Sequence, residues 1–155
     1  MTIDYESRTL TLTLPEAFHS GVSAQALPIE LRDKWAFVKG DLVLPGPVAV
    51  EGSFLIDSGS GDAVDHSIVT KLQSRTQTQS GIGLGNAVQG ATAQATSFQF
   101  GRYTLPNPTV SYCRATDQTS KLIGNDVLKF FTVTFDYPSA RILITPNGAF
   151  PVKRE

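Results

Sequence analysis

Phe54-Leu55-Ile56-Asp57-Ser58-Gly59-Ser60-Gly61 is the stretch around which the rest of the chain can be arranged. Three apolar residues, few enough for a buried strand, run into a carboxylate, a hydroxyl and a glycine. A buried strand that ends this way places one acid in a pocket floor, held over a tight turn. Asp-Ser-Gly alone is an ordinary turn tripeptide, because Asp and Ser bond their own backbone and Gly tolerates conformations that others avoid. Its meaning depends on whether the other parts of such a site occur elsewhere.

Immediately upstream, Val48 to Ser53 leads into the run, and Glu51-Gly52 reads as a hairpin turn. Pro45-Gly46-Pro47 interrupts Leu42-Val43-Leu44, which no central strand tolerates. Leu27 to Leu31 and Trp35 to Val38 read as short strands joined by Arg32-Asp33-Lys34. Thr9 to Leu14 alternates strictly, as a strand with one buried face does.

Downstream, Asp65 is placed to cap a short helix carrying Ile68, Val69 and Leu72 on one face. Gly81, Gly83, Gly85 and Gly90 fall within ten residues between strand-like segments, the pattern of a mobile hairpin. Leu122-Ile123 is apolar up to Gly124, and Asn125-Asp126 can cap a second short helix. Phe131, Val133, Phe135 and Tyr137 alternate with polar residues, Pro138-Ser139-Ala140 turns the chain, and Ile142-Leu143-Ile144 returns. The total is eight or more strands and two short helices, an all-β fold.

The whole-chain quantities narrow the function classes. A domain of 155 residues buries about 70% of its unfolded surface and needs no staple. Cys113 is the only cysteine, so there is neither an internal disulfide nor a cysteine metal cluster. A net charge of -1 with no basic block makes nucleic acid and anionic membrane poor partners. No apolar run approaches the ~18 residues of a membrane-spanning helix, and the first residues do not form a signal peptide.

The two ends of the chain resemble each other. Thr2 to Thr13 aligns with Thr134 to Thr145, and the match continues to Ala17-Phe18 against Ala149-Phe150, at a constant offset of 132 residues. Seven of the seventeen positions from Thr2 to Phe18 are identical: Thr2, Asp4, Tyr5, Ser7, Thr13, Ala17 and Phe18 with their partners. Two hairpins alike by chance is the plain reading. The sharper reading divides the chain into a tail hairpin over residues 1–20 left by a preceding lobe, a linker with leading strands over 21–47, and a lobe over 48–150.

A lone aspartate ionises near pH 3.9 and is a weak base at neutral pH. Two aspartates facing one another share a proton, so that one acts as base and the other as acid. Such a pair activates water against a peptide carbonyl with no cofactor and no metal. One acid per lobe therefore calls for a second lobe.

Together these residues resemble the retropepsin-like aspartic proteases, including the bacterial members. Phe54 to Gly61 is similar to their acid loop, apolar-apolar-Asp-Thr/Ser-Gly-Ala/Ser, and Leu122-Ile123-Gly124 to the supporting loop behind it. Phe131 to Pro146 is similar to the closing hairpin, and the likeness covers Val48 to Asn147. It implies a closed or partly closed barrel lobe and an aspartic endopeptidase. Asp57 would be the catalytic acid/base, and Ser58 would tie the two lobes' loops together. Gly59 would permit close approach to the carboxylate, and Ser60 would bond its outer oxygen. The flap would be built on Gly81, Ile82, Gly83, Leu84 and Gly85, closing over an extended peptide or protein substrate. The second aspartate would come from an upstream lobe or from a homodimer partner.

The sequence also departs from that pattern. The flap carries no tyrosine of the pepsin kind. Asp62 and Asp65 add negative charge beside the loop, which opposes ionisation of neighbouring acids, although exposed turn and cap residues are the preferred reading of both. Other sites fare worse. The glycine cluster lacks the Gly-Lys-Ser/Thr of a phosphate loop, and Gly59 and Gly61 stand where a calcium loop needs oxygen ligands. His19 and His66 are isolated, and Cys113 reads as a packing residue. The rival to a protease is a non-catalytic module of the same fold that binds an extended peptide or packs against a partner lobe.

Overall fold

The computed structural model describes residues 1–21, 23–46, 48–82, 87–113 and 121–151. Two short strands, β1 (Thr2–Asp4) and β2 (Thr9–Thr11), open the chain as a hairpin. A meander follows: β3 (Gln25–Arg32), β4 (Trp35–Val43) and β5 (Ala49–Ile56). Beyond the acid loop come β6 (Val64–Asp65), a 3-10 turn over Ser67–Lys71, and the hairpin of β7 (Thr76–Ile82) with β8 (Ala87–Gln94). Then β9 (Ser97–Phe100), β10 (Tyr103–Pro106), β11 (Thr109–Cys113) and β12 (Leu122–Ile123) lead to a one-turn helix, α1 (Asn125–Leu128). The chain closes on β13 (Phe131–Asp136) and β14 (Arg141–Pro146).

These strands form one continuous sheet in the order β2-β1-β13-β14-β3-β4-β5-β12-β6-β11-β8-β7, with β9 also paired to β4 and β10 to β9. The path has two ends, at β2 and β7, so the sheet is open where the sequence reading allowed a closed barrel. The all-β architecture otherwise follows that reading, although two further 3-10 turns, Pro15–Ala17 and Tyr137–Ser139, join the two helical segments expected.

The period-2 patterns account for the core. Along β13 Phe131, Val133 and Phe135 are buried while Thr132, Thr134 and Asp136 are not, as a strand with one covered face requires. In β4 the buried set is Ala36, Val38, Gly40 and Leu42. A chain of rings binds the layers: Phe54 meets Phe98 edge-on at 5.1 Å, Phe98 stacks on Phe100 at 6.4 Å, and Phe100 meets Phe131 edge-on at 5.6 Å. All four are fully buried. Gly40 lies beneath this stack, where a Cβ would stand 2.7 Å from the Phe98 ring.

Three local readings are corrected. Glu51-Gly52 is no turn, because β5 runs straight through it with Gly52 opposite Gly40. The turn is instead at Pro45-Gly46, where Gly46 takes φ +85°. The 3-10 turn is capped by His66, whose Nδ1 accepts the Ile68 N–H at 2.9 Å, and not by Asp65, which lies in β6. Helix α1 has Gly124 at its N-cap, which has no side chain to cap with, and Asn125 is already the first helical residue.

The two similar hairpins share backbone geometry. β1 and β13 occupy equivalent positions, as do β2 and the start of β14. The turns between them place Arg8 (φ 56°) and Ala140 (φ 47°), again 132 apart, in the left-handed region. Non-glycine residues visit that region rarely, so the coincidence is specific. Asp4 Oδ1 accepts the Ser7 N–H at 3.1 Å, and the carboxyl of the equivalent Asp136 is held below its ordinary range by Arg141 first and then by the equivalent Ser139. The hairpins lie side by side through β1 and β13, with Thr2 opposite Thr134, Ile3 opposite Val133 and Asp4 opposite Thr132.

Candidate active site

Asp57 follows the last residue of β5, and the loop it opens is held from behind by β12. That two-residue strand runs parallel to β5, with Leu122 beside Leu55 and Ile123 beside Ile56. It runs antiparallel to β6, with Leu122 beside Asp65 and Ile123 beside Val64. It is thus a wedge between the two arms of the acid loop. The Asp57 N–H donates to the Ile123 carbonyl at 3.0 Å, and the Leu55 N–H to Lys121 at 2.7 Å.

The loop is tied internally as well. The Asp57 carbonyl accepts the Ser60 N–H at 3.2 Å, and Asp57 Oδ1 accepts the Gly59 N–H at 2.8 Å. Three further amides enter from below: Gly124 N–H to Ala63, Asn125 N–H to Ser60 and Asp126 N–H to Asp62, at 3.1, 2.8 and 3.2 Å. Gly124 is required by space and not by its dihedrals. A Cβ there would stand 2.5 Å from the Asp62 carbonyl oxygen and 2.8 Å from that of Ser60. Asp57 is half-buried, and Ser58, Gly59 and Asp62 are exposed, so the acid faces outward on a fixed backbone. Among the described residues its Oδ2 has no hydrogen-bond partner.

Other sequence-derived positions fall as follows. Ser58 contributes its carbonyl, which accepts Asn125 Nδ2–H at 2.8 Å. Ser60 Oγ stands with Asp62, accepting its N–H at 3.2 Å, and not against Asp57. Gly81 and Ile82 end β7, while Gly83, Leu84 and Gly85 lie outside the described residues. The β7–β8 hairpin joins the acid-loop sheet through β11, which is parallel to β6. Asp65 is half-buried between Leu122 and Ser111, and loss of solvation, reinforced by the charge of Asp62, pushes its carboxyl up to about 6. Burial and the charge of Lys121 push the His66 imidazole down.

Sequence reading missed two residues. Asn125 bonds the acid loop twice, through its backbone N–H to Ser60 and through its side chain to Ser58. Its Oδ1 accepts the hydroxyl of Tyr5 at 2.7 Å, from a residue 120 positions away. The only sequence signal was that Tyr5 recurs as Tyr137 in the second hairpin.

No protein-family model matches the sequence, and the comparison with curated proteins yields no match. The chain superposes on the crystal structure of a retropepsin-like aspartic protease from Rickettsia conorii with a TM-score of 0.54, covering 81% of this chain and 96% of that one at 16% identity. The chain has the retropepsin-like fold. In this retropepsin-like fold, the β5 end, the β12 wedge and Gly124 together build one acid loop, set on a continuous sheet.

Proposed function

We propose that the chain is one lobe of an aspartic endopeptidase in which Asp57 works with an aspartate from a second lobe. The observation that carries this is the carboxylate of Asp57, half-buried, with Oδ1 taken by the Gly59 N–H and Oδ2 free for water or a second acid among the described residues. The likeness in fold to an aspartic protease supports it.

Two such carboxyls brought together hold one proton between them, because two adjacent negative charges are costly. The ionised acid takes a proton from a water molecule as its oxygen attacks the peptide carbonyl carbon. The neutral acid gives its proton to the carbonyl oxygen. Collapse of the tetrahedral species breaks the C–N bond, the amine leaves with a proton from the first acid, and the second recovers its own. Gly59 and the β12 wedge hold Asp57 so that little reorganisation accompanies these transfers.

The test is Asp57→Asn in a protein that contains both lobes. An amide cannot relay the proton, so peptide cleavage should fall by about 10²–10⁴-fold. Cleavage that survives the change unaltered removes Asp57 from the mechanism and leaves the peptide-binding module as the reading.

A further inference from the structure

We propose that Tyr5 and Tyr137 are the two halves of a reciprocal clamp: Tyr5 positions the acid loop of this lobe, and Tyr137 positions that of a second lobe docked on β2. This rests on the reading above that Asp57 acts with a second acid-bearing lobe.

The first half is visible in the structure. Tyr5 lies in the turn after β1, and its hydroxyl donates to Asn125 Oδ1 at 2.7 Å. The same side chain donates through Nδ2 to the Ser58 carbonyl at 2.8 Å. A residue of the first hairpin thereby reaches the residue that follows Asp57.

The second half follows from symmetry. In the β1–β13 pair the residue numbers sum to 136, so Thr2 faces Thr134, its own equivalent under the 132-residue offset. Met1 and Phe135 exchange two hydrogen bonds, at 3.1 and 2.8 Å, and the Ile3–Val133 pair is their equivalent under the same operation. A local two-fold axis therefore passes between Thr2 and Thr134 and exchanges the hairpins. It carries Tyr5 onto Tyr137, which here is 43% exposed and stacked on Phe135, with no hydrogen-bond partner for its hydroxyl among the described residues. It also carries Ile142 and Ile144, both 0% exposed, onto Leu10 and Leu12, which are 60% and 76% exposed. Leucines in solvent at the positions of core isoleucines mark a face that a lobe of this same fold covers.

The occupant is a lobe whose own closing hairpin is β1–β2, joined ahead of Met1. A second copy of this chain does not fit, because the strand needed beside β2 is the equivalent of β3, and the Gln25 to Pro28 segment that would make this pairing is already paired with its own β14. The free edge of β2 instead receives a strand from the preceding lobe, and Tyr137 then meets that lobe's equivalent of Asn125.

The test uses the full chain and a tandem with residues 21–132 placed directly ahead of Met1, the splice the offset dictates. Amide exchange is read at Gly59 and Asn125, with β4 amides as the reference. In the full chain Tyr5→Phe should speed exchange at both loop amides about fivefold beyond any change in β4, the effect of losing one hydrogen bond, and Tyr137→Phe should not. In the tandem Tyr137→Phe should speed the corresponding amides of the first lobe alone, and the Leu12 methyl groups should lose their solvent contact. Unchanged loop exchange in Tyr5→Phe, or a loss spread evenly over the sheet, overturns the positioning role. A tandem whose Leu12 stays in solvent, through an unfolded or misplaced first lobe, overturns the docking. If exchange behaves as expected and the tandem cleaves no peptide, the clamp stands and the protease reading fails. If Asp57-dependent cleavage occurs with exchange unchanged, the opposite holds.

Discussion

Thr2 and Thr134 stand directly opposite one another in adjacent antiparallel strands, their hydroxyls 2.9 Å apart. The separation of 132 residues is the offset at which the two ends of the sequence repeat. A short internal similarity has thus become a local two-fold axis through a pair of side chains. Cross-strand threonine pairs contribute about 0.2–1 kcal/mol. The double-mutant cycle of Thr2→Val with Thr134→Val should give a coupling in that range by urea denaturation. A coupling of zero would show that the first hairpin docks without this contact.

Gly124 is the tightest point beneath the acid loop. Gly124→Ala puts a methyl against two carbonyl oxygens that are themselves hydrogen-bonded, so the loop must shift. Overpacking of this kind costs about 1–3 kcal/mol, readable as a lower urea midpoint at unchanged slope. Gly61→Ala is the control, since nothing lies within 4 Å of its added Cβ.

Repeat-equivalent positions should respond unequally. Ile144→Ala removes a fully buried side chain and should cost about 2–5 kcal/mol. Leu12→Ala, at the matching place in the first hairpin, should stay within about 0.5 kcal/mol in the 155-residue chain. Equal losses on chemical denaturation would mean that Leu12 is already covered.

Asp65 supplies a pH dependence. Its folded carboxyl is raised from 3.8 to about 6, first by lost solvation and then by Asp62. The folded state therefore holds the proton more tightly than the unfolded one. The resulting stabilisation is complete below about 3.8 and is lost as the pH rises through about 6. Asp65→Asn should raise Tm at pH 7.5, with the gain shrinking between pH 6 and pH 4. Thermal melts across that range check it, and a gain that is flat with pH would assign the effect to packing.

How far the sequence could be read depended on the range of the interactions involved. The loop from Asp57 to Gly61 and the glycine at Gly124, each an ordinary pattern alone, were legible only through the family resemblance that joins them. The alternation in Phe131 to Asp136 was legible because it is a local pattern with one strong physical meaning. Glu51-Gly52 misled for the same reason. Gly signals a turn locally, whereas here Gly52 lies opposite Gly40 in a paired strand. The His66 cap was missed because Asp65 is the better capping residue in isolation, yet pairing with β11 and β12 holds it in a strand.

By itself the sequence determined that this is a mainly β chain with two similar hairpins and an acid closing one apolar run, because side-chain periodicity and turn chemistry act over a few residues. The roles of the acid loop and of Gly124 came only as what the family resemblance implies. Only the tertiary structure decided that β12 wedges between the arms of the acid loop, that the two hairpins pair across an axis at Thr2 and Thr134, and that Tyr5 reaches Asn125. Each of these joins residues far apart in the chain, and the partner is chosen by the shape of the assembled sheet. The acid at Asp57 was visible from its neighbours. What holds it from behind comes from a distant part of the chain, at Ile123 to Asn125.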